Sequence, residues 1–169
     1  MQLIKNGAVV ADEWATLSDE DPLPAAGPVI VSLARFKSEQ NMLLAREGRL
    51  GIRLKSGEEP AQIADYLDRF SLVALEFPAY RNGRAFSYAY LLRERYGFNG
   101  ELRAVGAVLR DQFNYLMRVG FDTFEVRDGI TPEIFKLSVD TFQNGYQPSA
   151  DGKPAVLSLR QRRLAAKAD

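Results

Sequence analysis

The sequence predicts an α/β fold: about five consecutive βα units whose parallel sheet resembles part of a TIM-type barrel. In residues 28–145, short apolar runs alternate with helical patterns, each unit spanning roughly 20–25 residues. Four of the runs carry one charge between apolar neighbours, which indicates a sheet with one helix-covered face and one polar face. A third observation, Asn6-Gly7 between two apolar pairs, predicts an N-terminal β-hairpin.

Three segments follow from this pattern. Residues 1–27 are predicted to form the hairpin and an acidic surface linker, which the large side chain of Trp14 pins to the domain. Residues 28–145 are predicted to form the α/β domain. Residues 146–169 read as an extended basic tail that ends in Arg160, Arg162, Arg163 and Lys167.

Within the α/β domain, each apolar run predicts a strand and each amphipathic stretch predicts a helix. The predicted strands are residues 28–33, 49–56, 72–77, 101–106 and 121–126. The predicted helices are residues 38–47, which Ser38 would cap, 84–96 and 108–119, and two more that begin at Pro60 and Pro132. Strands followed by helices in this order favour right-handed crossovers in one sheet.

The charges inside the strands alternate in sign: Arg53, Glu76, Arg103 and Glu125. One interpretation is a ladder of ion pairs that fixes strand register, in which Arg103 pairs with Glu76, Glu125 or both. The other is a polar site, with two arginines for an anion and carboxylates for acid–base chemistry. On that interpretation the candidate catalytic residues are Glu76, Arg103 and Glu125.

An arginine-rich loop follows the strand at 72–77. Ligands of α/β sheets bind beyond the carboxyl ends of the strands, and the N-termini of helices favour anions. The candidate anion-binding residues are therefore Arg53, Asn82, Gly83, Arg84, Ser87 and Arg103. The alternative is a solvated basic loop with ion pairs on the helix surface.

The composition excludes several kinds of chemistry. The chain has no cysteine and no histidine, which excludes thiolate nucleophiles, Ser-His-Asp triads and zinc or haem held by these residues. The carboxylates leave oxygen-ligated Mg²⁺ or Ca²⁺ open, but no residue pattern assigns a metal site and we expect none. Lys plus Arg equals Asp plus Glu, so a basic field for nucleic acid is not expected. The sequence shows no signal peptide and no apolar run of membrane length, so we expect a cytoplasmic protein without a membrane partner.

Residues 77–126 carry a long ordered signature. It includes Asn82-Gly83-Arg84, Leu92-Arg93, Arg95-Tyr96-Gly97-Phe98, Gly100-Glu101-Leu102-Arg103-Ala104, Asp111-Gln112 and Gly120-Phe121-Asp122. This signature resembles a bacterial family of formally unknown function. Its members are commonly described as probable oxidoreductases of sulfite reduction, and they are often encoded beside a haemoprotein sulfite reductase. The chain departs from the family pattern at Tyr90, where Arg is frequent, and at Ala107, where Asp is frequent.

The resemblance implies a role in assimilatory sulfite reduction. The chain has no recognisable dinucleotide or P-loop motif. We therefore expect an accessory protein that docks sulfite reductase or its electron donor through the arginine-rich segment and the acidic linker. The alternatives are an enzyme that binds an oxyanion or phosphate, and an oxidoreductase that uses a borrowed flavin or NAD(P). We also expect a homodimer, because five helices leave one face of a parallel sheet uncovered.

Overall fold

The computed structural model describes residues 1–127, 129–140, 148–153 and 155–156. Most of the predicted basic tail, including Arg160, Arg162, Arg163 and Lys167, lies outside the described residues. The described chain forms a mixed α/β fold in which an eight-stranded sheet curls into a half-barrel.

The eight strands lie in the order β2-β1-β8-β7-β6-β5-β4-β3. From β3 to β8 the neighbouring strands are parallel, whereas β1 is antiparallel to both β2 and β8. The strands are β1 Gln2–Lys5, β2 Ala8–Val10, β3 Ala15–Thr16, β4 Val29–Ser32, β5 Leu50–Leu54, β6 Phe70–Phe77, β7 Glu101–Gly106 and β8 Thr123–Val126.

The prediction of a parallel sheet with about five strands is wrong in two respects, because the sheet is mixed and has eight strands. The antiparallel pair β1–β2, joined through Asn6 and Gly7 in positive-φ conformations, adds to the edge of β8. The segment predicted to be a linker supplies β3, where Ala15 N donates to Pro28 O at 3.0 Å. A strand of two residues is too short to give an alternating pattern, so the sequence did not indicate it.

The helices follow the strands as predicted, but they begin and end at other residues than predicted, and some segments are 3₁₀- or π-helical instead of α-helical. Residues 33–45 form α1 (Leu33–Ser38) and α2 (Gln40–Ala45), and Ser32 rather than Ser38 caps α1 by accepting from Arg35 N at 3.0 Å. Pro60–Arg69 is 3₁₀-helical. The remaining helices are α3 (Arg84–Tyr90) with a π-helical continuation (Leu91–Arg95), a 3₁₀ turn (Arg110–Gln112) leading into α4 (Phe113–Arg118), and α5 (Pro132–Asp140).

One face of the sheet packs against these helices, and we call the opposite face the open face. The large hydrophobic core lies on the helix side and includes the strand residues Ile52, Leu75 and Phe124. The open face holds a small separate cluster, Ile30, Leu72, Ala74 and Val105 with Trp14 packed against it. Helices therefore cover one face of the sheet, as predicted, whereas the opposite face carries an apolar cluster beside the strand charges. Within the described residues, no helix combines the length and the apolar character that a membrane span needs.

Candidate functional site

Strand register brings the predicted charges to the open face. Residues that pair across parallel or antiparallel strands share a face, and one such row contains Lys5, Thr123, Arg103, Ala74 and Arg53. Glu76 and Glu125 lie two residues further along β6 and β8, so their side chains leave the sheet on that same face. The prediction that all four strand charges share one face is confirmed.

Arg103 is the centre of this face, and the chain's own carboxylates bind its guanidinium. Nη1 and Nη2 donate to the two oxygens of Asp12 at 2.7 and 3.1 Å. Nε and Nη2 donate to Glu101 Oε1 at 3.2 and 3.1 Å. The side chain is only 2% exposed. Any external anion at Arg103 would therefore have to replace Asp12 or Glu101.

The predicted partners of Arg103 were Glu76 and Glu125, and this prediction is wrong. Glu101 pairs with Arg103 instead, because it precedes Arg103 by two residues on β7 and both side chains therefore leave the strand on the same face. Asp12 reaches Arg103 from a segment 91 residues earlier in the chain. The spacing of Glu101 and Arg103 was a usable signal in the sequence, whereas the distant partner left no local pattern.

The other half of the predicted ladder forms between Arg53 and Glu76. Arg53 Nε donates to Glu76 Oε2 at 3.1 Å, and Nη2 lies 3.1 Å from the same oxygen. The two side chains are 37% and 23% exposed, so this pair is open to solvent while the Arg103 pairs are not. Among the described residues Glu125 makes no ion pair, and no group of three or more carboxylates is placed to hold a metal ion.

Glu101 joins two cations on the open face. Lys5 Nζ donates to Glu101 Oε2 at 2.6 Å, while Arg103 binds Oε1. Burial raises the pKa of Glu101, but the hydrogen bonds and positive charges of Lys5 and Arg103 outweigh burial and hold this pKa below its usual value of 4.5. Glu101 is therefore an ionised structural partner at neutral pH, unlike a general acid, whose pKa is raised.

We expect Glu101 to make the fold acid-labile. A carboxyl with a lowered folded-state pKa stabilises the fold above its unfolded pKa, and this contribution is lost as the pH falls through the folded pKa. Melting temperatures measured from pH 6 to pH ~3 should therefore fall more for the wild type than for Glu101→Gln. Parallel curves for the two proteins would contradict the assigned ion pairs. Subtraction of the Glu101→Gln melting temperatures from those of the wild type at each pH cancels the contribution of the other carboxylates.

Part of the predicted acidic linker covers part of the open face. We call Asp12–Thr16 the arm. Besides the Asp12 contact with Arg103, Trp14 packs against Ile30 and Leu72, and a Cβ on Gly51 would lie 3.1 Å from its ring. Glu13 pairs with Arg49 at 2.6 Å, and the Arg49 guanidinium lies 5.2 Å from the centre of the Trp14 ring. The expectation that Trp14 pins this segment is confirmed.

The structure distributes the six candidate anion-binding residues over three places. Arg53 and Arg103 lie in the ion pairs on the open face. In the loop before α3, Asn82 Oδ1 accepts from Arg84 N at 3.3 Å, and Arg84 Nη1 lies 3.5 Å from Ser56 Oγ, just beyond β5. Gly83 precedes α3. Ser87 instead lines a cavity on the helix side. An anion-binding role of these residues stays a prediction.

That cavity lies between α3 and α4, and we call it the α3–α4 groove. It has a volume of about 570 Å³, and Phe86 and Tyr90 of α3 and Tyr115 of α4 line it. The Phe86 and Tyr115 rings lie 4.9 Å apart, and Tyr90 and Tyr115 are 44% and 51% exposed. At its end Arg118 Nε pairs with Asp151 Oδ2 at 3.2 Å. Nothing in the sequence separated Tyr90 from core aromatics.

Part of the ordered signature has a structural explanation in Arg93. Its guanidinium donates to the carbonyls of Phe98, Gly100 and Gly120 at 2.6, 2.9 and 3.0 Å. It also donates to Asp122 Oδ2 at 2.6 Å, and the same oxygen accepts from Leu102 N at 2.9 Å. Arg93 therefore connects the π-helical continuation of α3 to the turns that precede β7 and β8.

Comparison with known proteins gives one match. Neither the curated proteins nor the solved structures include a match to this chain. The family model of the bacterial proteins of unknown function DUF934 matches residues 51–157, which include the α3–α4 groove, the Arg93 network and all four strand charges. The chain therefore belongs to this family of bacterial proteins of unknown function.

Proposed function

We propose that the chain is a non-catalytic accessory protein of assimilatory sulfite reduction. It docks sulfite reductase or the electron donor of that enzyme through the α3–α4 groove. The observation that carries the docking role is the pair of exposed tyrosines, Tyr90 and Tyr115, beside a 570 Å³ cavity. The link to sulfite reduction rests on the resemblance of residues 77–126 to proteins encoded beside that reductase.

The residue types around the groove are those that protein interfaces use. Tyrosine and arginine are enriched in the energetic centres of interfaces, and a ring that is half exposed in the free protein can bury further area in a complex. Arg84, Arg95 and Arg110 are exposed on the segments that carry α3 and α4. A partner with acidic residues around an apolar centre would complement this surface.

The predicted docking role of the acidic linker receives less support. Three of its carboxylates bind groups outside the linker: Asp12 binds Arg103, Glu13 binds Arg49, and Asp19 accepts from Ser32 Oγ at 2.5 Å. These contacts hold the segment against β4 and the open face. The proposal therefore places docking on the α3–α4 groove alone.

Sedimentation of purified components tests the proposal. The full chain is mixed with the haemoprotein sulfite reductase, and separately with the flavoprotein that donates its electrons. We expect one of the two mixtures to give a faster-sedimenting complex that contains the chain. Independent sedimentation of every component in both mixtures would overturn the proposal.

Two alternatives would use other parts of the molecule. An enzyme that binds an oxyanion or phosphate would use the polar set Arg84, Arg103, Glu76 and Glu125. Because Arg103 is bound by Asp12 and Glu101, Arg84 and the solvent-open Arg53–Glu76 pair are the accessible groups near the carboxyl ends of β5 and β6. An oxidoreductase with a borrowed flavin or nicotinamide cofactor would take up that cofactor on mixing. A visible absorption band that stays with the purified chain would favour the oxidoreductase over the docking protein.

The homodimer also stays a proposal. It follows from a sheet face that lacks helices, and in the structure the arm, including Trp14, covers part of that face. Light scattering at micromolar concentration tests it: a dimer has twice the chain mass of 18.9 kDa. A mass of one chain that does not rise on concentrating the sample would contradict it.

A further inference from the structure

We propose that the arm is a latch over an oxyanion site on the open face, formed by Arg103, Lys5 and Thr123. The Asp12 carboxylate occupies this site in the closed state. The ligand class is a small inorganic oxyanion, which guanidinium, ammonium and hydroxyl groups bind together through charge-assisted hydrogen bonds. This inference does not depend on the docking role of the α3–α4 groove.

The geometry around Arg103 is the first observation. Asp12 binds the guanidinium with both carboxylate oxygens, at 2.7 and 3.1 Å, in the two-point arrangement that arginine makes with carboxylates and phosphates. The guanidinium is 2% exposed, whereas Asp12 is 40% exposed. The anionic partner thus lies at the solvent side of a buried cation and could leave without disturbing the sheet below it.

A buried hydroxyl is the second, independent observation. Thr123 is fully buried, and its Oγ1 has no hydrogen-bond partner within the described part of the chain. In the sheet register Thr123 lies between Lys5 of β1 and Arg103 of β7, with its side chain on the open face. An unpaired buried hydroxyl costs free energy, and an oxyanion at Arg103 would offer it an acceptor.

The structure also shows how the latch is held. Apart from Asp12, the arm is bound by Trp14, which packs on the Ile30 and Leu72 cluster, by the Glu13–Arg49 ion pair and by the short β3 ladder. A carboxylate on the same chain has a high effective concentration at its site. A free anion therefore cannot compete with Asp12 until the latch is weakened, so the site is closed in the wild type.

Removal of the Asp12 carboxylate tests the proposal. We expect Asp12→Ala to lower the Tm by several degrees and sulfate at about 10 mM to restore most of this loss, relative to sodium chloride at equal ionic strength. Glu13→Ala is the matched control, because it removes a neighbouring carboxylate of the arm that binds Arg49 instead of Arg103. For the wild type and for Glu13→Ala, sulfate should raise the Tm only slightly, by the weak stabilising effect that sulfate has on proteins in general.

Two further measurements decide the result. Trp14 is the only tryptophan, so a red shift of its emission in Asp12→Ala reports release of the arm. Asp12→Asn offers the same test and keeps the shape of the side chain.

In the Asp12→Ala background, Thr123→Val should raise the sulfate Kd several-fold. Equal sulfate effects on Asp12→Ala and Glu13→Ala, an adventitious ion effect only, would overturn the site. An unchanged Kd in Thr123→Val would remove Thr123 from it.

Discussion

Replacement of Arg103 by methionine should destabilise the protein by about 3–5 kcal/mol, because it leaves the Asp12 and Glu101 carboxylates without their shared cation. The apolar stem of methionine keeps most of the packing volume, so the loss measures the ion pairs rather than a cavity. In a protein of this size such a loss lowers the Tm by roughly 10 °C. Urea unfolding followed by circular dichroism gives the free energy directly.

The matched control for Arg103 is Arg84→Met. Arg84 is exposed, and its guanidinium has one long contact, 3.5 Å to Ser56 Oγ. We expect its replacement to change the free energy of unfolding by less than about 0.5 kcal/mol. Similar losses in the two variants would show that the Arg103 pairs contribute little to stability.

A second large effect is expected at Arg93. Arg93→Met removes the donors to three carbonyls and to Asp122, all within the turns around residues 98–100 and 120–122. Buried acceptors left unpaired cost free energy, and water can reach only some of them because the Arg93 side chain is 17% exposed. We expect a loss of about 2–4 kcal/mol in the free energy of unfolding.

Arg95 provides the control for Arg93. It lies two residues further along the same π-helical turn, is exposed, and stacks on Tyr96 with its guanidinium 5.8 Å from the ring centre. Arg95→Met should cost less than about 0.5 kcal/mol. If Arg93→Met is as mild as this control, the network around Arg93 does not hold the turns together.

The sequence was informative where local pattern determines structure. The single charge in each apolar run identified β5 to β8 and the face on which Arg53 and Arg103 lie, because alternation along a strand is a local property. The five predicted helical regions are each helical in the structure. Asn6-Gly7 gave the turn between β1 and β2 because a two-residue turn depends on its own φ angles.

Features that depend on distant segments could not be predicted. The choice of Asp12 as partner of Arg103 depends on how the arm crosses the sheet, and nothing near residue 12 specifies that path. The addition of β1 to β8 in the antiparallel direction joins residues more than 100 positions apart. The exposure of Tyr90 and Tyr115 depends on what packs over α3 and α4, which an amphipathic pattern does not specify.

The central claim is that the α3–α4 groove, and not the open face, binds the partner. Isothermal titration of the sedimenting partner with the wild type, with a Tyr90→Ala, Tyr115→Ala double variant and with a Met42→Ala, Tyr80→Ala double variant tests it most directly. All four side chains are exposed, but Met42 and Tyr80 lie outside the groove. We expect the groove variant to lose at least about 30-fold in affinity, or about 2 kcal/mol, while the control binds as the wild type does. Equal Kd values for the wild type and the groove variant would contradict it.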